Sequence, residues 1–194
     1  MNAPEHDWIH TFEQLSRTTR QLSSDLPYHN AEHAFDVCTE VLSLSKNLPW
    51  NERYLLGTAA LLHDIEYKVG YAQNEEHAVG FAERYLPHLG YVPQEIQRIS
   101  EHILSTKLGS PLKNEYSAYL VDADLANLGR TDFFEKNELL RKEWCGKDGK
   151  EWQERALAFL SQHTYRTKEA QEQYDEQKRK NIECMLEKVK VYAS

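Results

Sequence analysis

The chain has few of the features that mark secreted, membrane and nucleic-acid-binding proteins. Its only three cysteines, Cys38, Cys145 and Cys184, are far apart and form no CxxC pair, which suits a reducing compartment. No apolar run is long enough to span a bilayer, and the first letters, MNAPEHDW, lack the basic start and apolar core of a signal peptide. A formal net charge of −8 argues against an extended nucleic-acid or anionic-membrane surface. We therefore expect a cytoplasmic protein.

Tandem repeats, low-complexity linkers and convincing alternating strands are also missing. The hydrophobic residues, 40% of the chain, recur with helical periodicity nearly everywhere. This pattern predicts an all-α bundle of roughly eight helices. We expect a single domain over residues 1–194, with a core at about 28–130 and helical extensions packed on it at both ends.

Helix starts are indicated by residues that favour the first turn of a helix or the position before it. The predicted starts or caps, in chain order, are Asn30, Asn51, Asn74, Pro93, Tyr116 and Lys168. The helix capped by Asn30 is expected to run to about Leu48. The segment that starts at Tyr116 is expected to close at Gly129, a residue type that commonly ends helices.

One predicted helix is almost wholly apolar but ends in a polar pair. Residues 54–63 carry no formal charge when histidine is counted as neutral, and His63 and Asp64 follow each other at the end. A buried charge is costly unless it is paired or bound to a metal, and a helix C-terminus favours a cation. The pair therefore predicts two metal ligands. The alternative is an ordinary helix exit, with Asp64 solvated and His63 hydrogen-bonded in the core.

Two other segments supply partners for this pair. His29 and His33 lie four residues apart in YHNAEH, so both rings could face one cavity, although solvated helix-start residues have the same spacing. Asp122 and Asp124 lie in the apolar stretch LVDADLANLG, and residues two apart point nearly opposite ways, so one is expected to face the core. Two imidazoles and two carboxylates suit a divalent metal. The predicted ligand set is His33, His63, Asp64 and Asp124.

The ordered pattern H…HD…D resembles that of the HD superfamily of metal-dependent phosphohydrolases, and YHNAEH resembles the start of the cyclic-nucleotide phosphodiesterase motif. The resemblance extends to a small bacterial branch of predicted phosphohydrolases. The pieces that carry it lie between about residues 28 and 186, and they are YHNAEH, LLHDIEY, NEEHA, DADLANLG, LLRKEW and YRTKEAQEQYDEQKRKNIECML. The resemblance implies an HD-type helical domain around a central metal site.

The resemblance also implies a reaction. Water activated by the metal would attack a nucleotide or another small phosphoester, Asp64 would help to orient that water, and His29 would donate a proton to the leaving group. Glu75 or Glu76 could orient the water or act as the base, although acids at a helix start also complement the helix dipole. The expected cofactor is one divalent ion or two, with Zn, Mn, Mg, Fe, Ni and Co all left open.

Further candidates for an additional metal or for substrate are His102, Lys107 and Arg166. The two basic residues could hold phosphate oxygens, but a solvated surface role is the more common one for a single basic residue. The chain departs from related patterns at Tyr67, where some HD nucleotidases have a glutamate, and at Leu108, where the branch often has a histidine.

Three alternatives to a hydrolase stay open. An HD-type di-iron oxygenase would need extra histidines between the HD pair and the last aspartate, and His77, His88 and His102 are available. A non-catalytic sensor could use the same pocket to bind a metal or nucleotide, and a plain helical scaffold would use neither. A homodimer is also open, because the long last helix could pack on its own domain or on a partner.

Overall fold

Helices account for every regular element that the structure describes, which confirms the predicted all-α class. The computed structural model describes residues 8–144 and 149–193, and Cys145 and the segment MNAPEHD lie outside those ranges. The α-helices within these ranges are α1 (Trp8–Leu22), α2 (Ala31–Leu44), α3 (Trp50–Leu62), α4 (Asn74–Tyr85), α5 (Pro93–Thr106), α6 (Ser117–Asp124), α7 (Phe133–Trp144), α8 (Gly149–Gln162) and α9 (Lys168–Ala193). Short 3-10 helices, Leu86–Leu89 and Ala126–Gly129, follow α4 and α6.

The uncharged stretch forms the central helix of the bundle. Every residue of α3 from Tyr54 to Leu62 is buried, as expected for a helix that is apolar on all sides. Helices α1, α2, α5 and α6 pack around it. The C-terminal end of α3 therefore carries His63 and Asp64 into the interior of the bundle rather than to its surface.

The predicted helix starts agree with the structure in part. Asn30 caps α2 as predicted, because its Oδ1 accepts the backbone N–H groups of Glu32 and His33 at 2.9 and 3.2 Å. The predicted start of α9 at Lys168 is confirmed, and α5 begins at Pro93 itself, where a start just after this residue was expected. Helix α2 ends at Leu44, and α6 begins at Ser117 and gives way to a 3-10 helix before Gly129.

The capping roles predicted for Asn51 and Asn74 are wrong. Asn51 lies inside α3, which begins one residue earlier. Asn74 is the first residue of α4, and its side chain turns back to the preceding loop. Its Oδ1 accepts the N–H of Lys68 at 3.0 Å, and its Nδ2 donates to the carbonyls of Lys68 and Tyr71 at 2.9 Å. These bonds hold together the loop 63–73, which begins with the HD pair.

Helices α8 and α9 pack together near the end of the chain. They enclose a second apolar cluster, separate from the main core and formed by Leu128, Phe133, Leu160 and Met185. Cys38 is buried and Cys184 is exposed, and both are free thiols. Among the described helices, none combines the length and the apolar character that a membrane span requires.

Candidate metal centre

Three helices bring the predicted ligands together. His33 lies in the first turn of α2, His63 and Asp64 follow the last residue of α3, and Asp124 is the last residue of α6. Because α2 and α6 both pack on α3, their ends meet beside the HD pair. We call these four residues the His–Asp cluster.

The two histidines of the cluster face the same two carboxylate oxygens. His33 Nε2 lies 3.1 Å from Asp124 Oδ1 and 3.4 Å from Asp64 Oδ2. His63 Nε2 lies 3.1 Å from Asp64 Oδ2 and 3.4 Å from Asp124 Oδ1. Ligating atoms of His33, His63 and Asp64 all lie within 4.8 Å of one another. Asp124 lies outside that group of three, but its Oδ1 lies beside both histidine nitrogens.

His63 shows that the cluster requires a positive charge. Its Nδ1 donates a hydrogen bond to the carbonyl of Ala60 at 2.8 Å, so Nε2 of the neutral ring carries only a lone pair. The residue is 1% exposed, and Nε2 has no hydrogen-bond partner among the described residues. A lone pair that faces carboxylate oxygens is unfavourable unless a proton or a metal cation lies between them.

The pKa values of the cluster lead to the same conclusion. Burial lowers the pKa of His33 and of His63, but the carboxylates of Asp64 and Asp124 outweigh burial, and both histidine pKa values are raised. Burial raises the pKa of each aspartate, but the two histidines outweigh it, and both aspartate pKa values are lowered. The two ionised carboxylates therefore favour positive charge at or beside the two histidine rings.

The separations within the cluster fit ligands that share one ion. Zinc–ligand bonds to nitrogen and oxygen are about 2.0–2.2 Å long, so two ligands at angles of about 90–110° lie roughly 3–3.5 Å apart. The four nitrogen–oxygen distances are 3.1, 3.1, 3.4 and 3.4 Å. Imidazole and carboxylate together suit zinc, manganese and iron. The donor set and its spacing thus fit a divalent cation.

His29 lies beside the cluster and is held by a buried carboxylate. Its Nδ1 donates to Glu143 Oε1, and Glu143 Oε2 accepts the backbone N–H groups of Tyr28 and His29, each at 3.0 Å. The His29 ring stacks on Tyr67, with 3.9 Å between ring centroids and 10° between ring planes. Its centroid is 5.7 Å from that of His33. These contacts fix the orientation of His29 next to the predicted ligands.

Glu143 is not among the site residues that the sequence predicts. It belongs to α7, where the letters LLRKEW read as an ordinary charged helix, and it is 114 residues away from His29 in the chain. Its side chain is nevertheless 0% exposed. Burial raises the pKa of Glu143, but the hydrogen bonds from His29 outweigh burial and lower it. The resemblance carried by LLRKEW was the only signal that pointed to this segment.

The two glutamates at the start of α4 have different environments. Glu76 is exposed, and its carboxylate pairs with Lys107 Nζ at 2.6 Å. Glu75 is partly buried, and burial raises its pKa, with contributions from the negative charges of Glu76 and Asp64. Of the two, Glu75 is the more buried, and Asp64 makes only a minor contribution to its raised pKa.

Two other candidates have their main contacts elsewhere. His102 is fully buried in α5, with its Nδ1 3.0 Å from Ser117 Oγ, and burial together with the charge of Arg98 lowers its pKa to about 3. Arg166 donates its backbone N–H to Asp122, while its side chain is exposed. Among the described residues, neither joins the group formed by His33, His63 and Asp64.

Comparison with known proteins identifies the fold. No family model matches the sequence, and no curated protein matches it either. Among solved structures, the chain is similar to LmjPDEB1 in complex with IBMX, with a TM-score of 0.56 and 13% sequence identity. The match covers 95% of this chain and 82% of that chain. At this identity, the similarity shows that the two chains share a helical fold.

Proposed function

We propose that the protein is a metal-dependent phosphohydrolase of the HD type that acts on a nucleotide or another small phosphoester. The observation that carries the proposal is the His–Asp cluster, where two histidine nitrogens face the same two carboxylate oxygens inside the bundle. The fold is shared with LmjPDEB1, a phosphodiesterase, and this similarity supports phosphoester hydrolysis. The H…HD…D pattern and the YHNAEH motif support the same reaction class.

In this proposal, the four residues of the cluster hold a divalent cation. A cation bound there would lower the pKa of a coordinated water towards neutrality and offset negative charge on the phosphate. Asp64 and Asp124 would hold the cation with their ionised oxygens, and Asp64 would also orient the water. The hydrogen bond from Nδ1 to Ala60 keeps Nε2 of His63 turned towards the cation.

His29 is the proposed proton donor to the leaving group. Glu143 accepts the Nδ1 proton, so the proton that the ionised ring can give away is the one on Nε2. Stacking on Tyr67 and the hydrogen bonds to Glu143 leave the ring little freedom to turn. Because Glu143 is outside the predicted core at 28–130, we propose that the core and the C-terminal helices act as one domain.

Residues at the start of α4 and the end of α5 are proposed to border the substrate. Glu75 is the more buried of the two glutamates, and burial raises its pKa, so it is the better candidate for a base or for a residue that orients water. Lys107 pairs with Glu76, the residue after Glu75. A phosphate oxygen would therefore compete with the Glu76 carboxylate for the ammonium group of Lys107. Arg166 stays a candidate phosphate ligand through its exposed guanidinium group.

The test is a hydrolysis screen of the purified protein with added Mn²⁺, Zn²⁺, Mg²⁺, Fe²⁺, Ni²⁺ or Co²⁺. The substrates are nucleoside monophosphates, nucleoside triphosphates, cyclic nucleotides and simple phosphomonoesters, with phosphate or nucleoside release as the readout. We expect turnover with at least one substrate, loss of that turnover with a chelator, and recovery when metal is restored. Asp64→Asn is the matched inactive control, because it keeps the size of the side chain and removes its charge.

Two results would overturn the hydrolase proposal. Two irons per chain with oxygen-dependent turnover would indicate an oxygenase. Thermal stabilisation by nucleotides without product release from any substrate would indicate a sensor.

A further inference from the structure

The fourth predicted ligand, Asp124, lies at the end of a short helix. Asp124 ends α6, which has only eight residues, and isolated helices of that length are marginal in water. The start of α6 is fixed by Asn114, whose Oδ1 accepts the N–H groups of Tyr116 and Ser117 at 3.0 and 3.1 Å. Helices α2, α3 and α5 pack on α6, so the position of Asp124 depends on this packing and on what holds the C-terminal end of the helix.

That end is held by Asp122, which points away from the metal site. Its carboxylate accepts the N–H of Arg166 at 2.9 Å and receives both the N–H and the hydroxyl of Thr167 at 2.7 Å. The Thr167 hydroxyl also accepts the N–H of Ala170 at 3.2 Å and so caps α9. Asp122 is 0% exposed. One buried carboxylate thus joins the end of α6 to the start of a 26-residue helix.

Further contacts tie the following residues to the same helix. Tyr165 donates its hydroxyl to the carbonyl of Leu125 at 3.2 Å. Asn181 Nδ2 donates to the carbonyls of Leu128 and Arg130 at 3.0 and 2.9 Å. Gly129 is packed so closely that an added Cβ would lie 2.4 Å from the Cβ of Tyr174. The chain on the C-terminal side of Asp124 is therefore pinned to the region 165–181.

We propose that Asp122 is a positioning residue for the metal centre: by clamping Arg166 and Thr167, it holds Asp124 against His33 and His63. This inference rests on the proposed metal site. A buried carboxylate is a costly way to obtain packing alone, because an apolar residue of similar size would avoid its desolvation. The hydrogen bonds from Arg166 and Thr167 to Asp122 would instead let the start of α9 determine the position of Asp124.

The test measures Co²⁺ binding, because the visible spectrum of bound Co²⁺ reports both affinity and the geometry of its ligands. The full-length protein is stripped with a chelator and titrated as wild type, Asp122→Asn, Thr167→Val and Thr167→Ser. We expect Asp122→Asn to weaken Co²⁺ binding by about 10- to 100-fold and to change the spectrum, as loss of a group that orients a ligand does. Thr167→Val should weaken Co²⁺ binding less than Asp122→Asn does. Thr167→Ser keeps the hydroxyl, so it should bind Co²⁺ as tightly as the wild type.

A merely structural role would give a different pattern. Leu15→Ala is the control, because Leu15 is fully buried in α1, a helix that packs on α2 and α3. It should lower the melting temperature without changing Co²⁺ affinity or the spectrum. If Asp122→Asn and Thr167→Val lower the melting temperature but leave both readouts unchanged, the inference is wrong. If Asp122→Asn does not fold, the comparison of Thr167→Val with Thr167→Ser decides. Failure of the wild type to bind Co²⁺ would instead overturn the metal site, and the inference with it.

Discussion

The end of α3 and the middle of α5 each bury a histidine, but the two sites have opposite electrostatic character. His63 and His102 are both almost completely buried, and Nε2 of each has no hydrogen-bond partner among the described residues. The pKa of His63 is raised because Asp64 and Asp124 outweigh burial, whereas burial and Arg98 lower the pKa of His102 to about 3. Burial is common to both sites, so the neighbouring charges determine the difference. A buried histidine becomes a candidate metal ligand where carboxylates converge on it.

The largest expected effect comes from replacing His63 with glutamine, and the same replacement of His102 is the comparison. His63→Gln should abolish stoichiometric metal binding and reduce hydrolysis on the order of 10³-fold or more, because it removes a ligand of the proposed cation. His102→Gln should keep both metal and activity. Metal content by elemental analysis and initial rates on the best substrate of the screen measure the two effects. Loss of metal from both variants would end the distinction between the two sites.

The sequence predicted the helical class and the residues of the cluster more readily than the groups that support them. The apolar run in α3, followed directly by His63 and Asp64, is a local pattern, and so is the cap at Asn30. Glu143, the buried carboxylate that holds His29, could not be recognised in this way, since it lies 114 residues after His29 and its inward orientation depends on how α7 packs.

The expectation that only one aspartate of the DADLANLG segment faces the interior was wrong for a related reason. Residues two apart do point in opposite directions, but α6 is enclosed on both sides. Asp122 faces Thr167 and the start of α9, while Asp124 faces His33 and His63. Periodicity describes one helix at a time, so it cannot show that a second carboxylate has buried partners from another helix.

A smaller effect is expected when the proton donor is removed and the ligands are left intact. His29→Ala should keep the metal and lower kcat by about 10²- to 10³-fold, in the range usual for a general acid. Glu143→Gln should lower kcat less and should change its pH dependence, because the ring would lose the carboxylate that orients it. Loss of metal from His29→Ala would instead place His29 among the ligands, and an unchanged rate would remove its proposed role.

His102 should affect the pH dependence of folding stability, and its effect on activity should be smaller than that of His29. The unfolded residue has a pKa near 6.5 and the folded one about 3, so below pH 6.5 the unfolded state binds a proton that the folded state does not. The free energy of unfolding is therefore unaffected by protonation of this residue above about pH 6.5 and falls as the pH decreases towards 3. The total decrease amounts to a few kcal/mol.

Urea unfolding of metal-free wild type and His102→Gln at pH 7.5, 5.5 and 4.5 measures this contribution. The variant should be less stable at pH 7.5, because the buried imidazole and its contact with Ser117 are lost. Its stability should then fall less steeply with acid than that of the wild type. Parallel curves would show that the folded His102 titrates near its ordinary pKa.

The smallest expected effect separates the two glutamates that begin α4. Glu75→Gln should lower kcat by roughly tenfold if Glu75 orients water or accepts a proton beside Asp64. Glu76→Gln is the matched control, because Glu76 is exposed and its partner is Lys107. It should leave kcat unchanged and affect only KM, through the freed ammonium group. Equal losses of kcat in both variants would show that the first turn of α4 acts through its overall charge. No loss in either would confine the chemistry to the His–Asp cluster and His29.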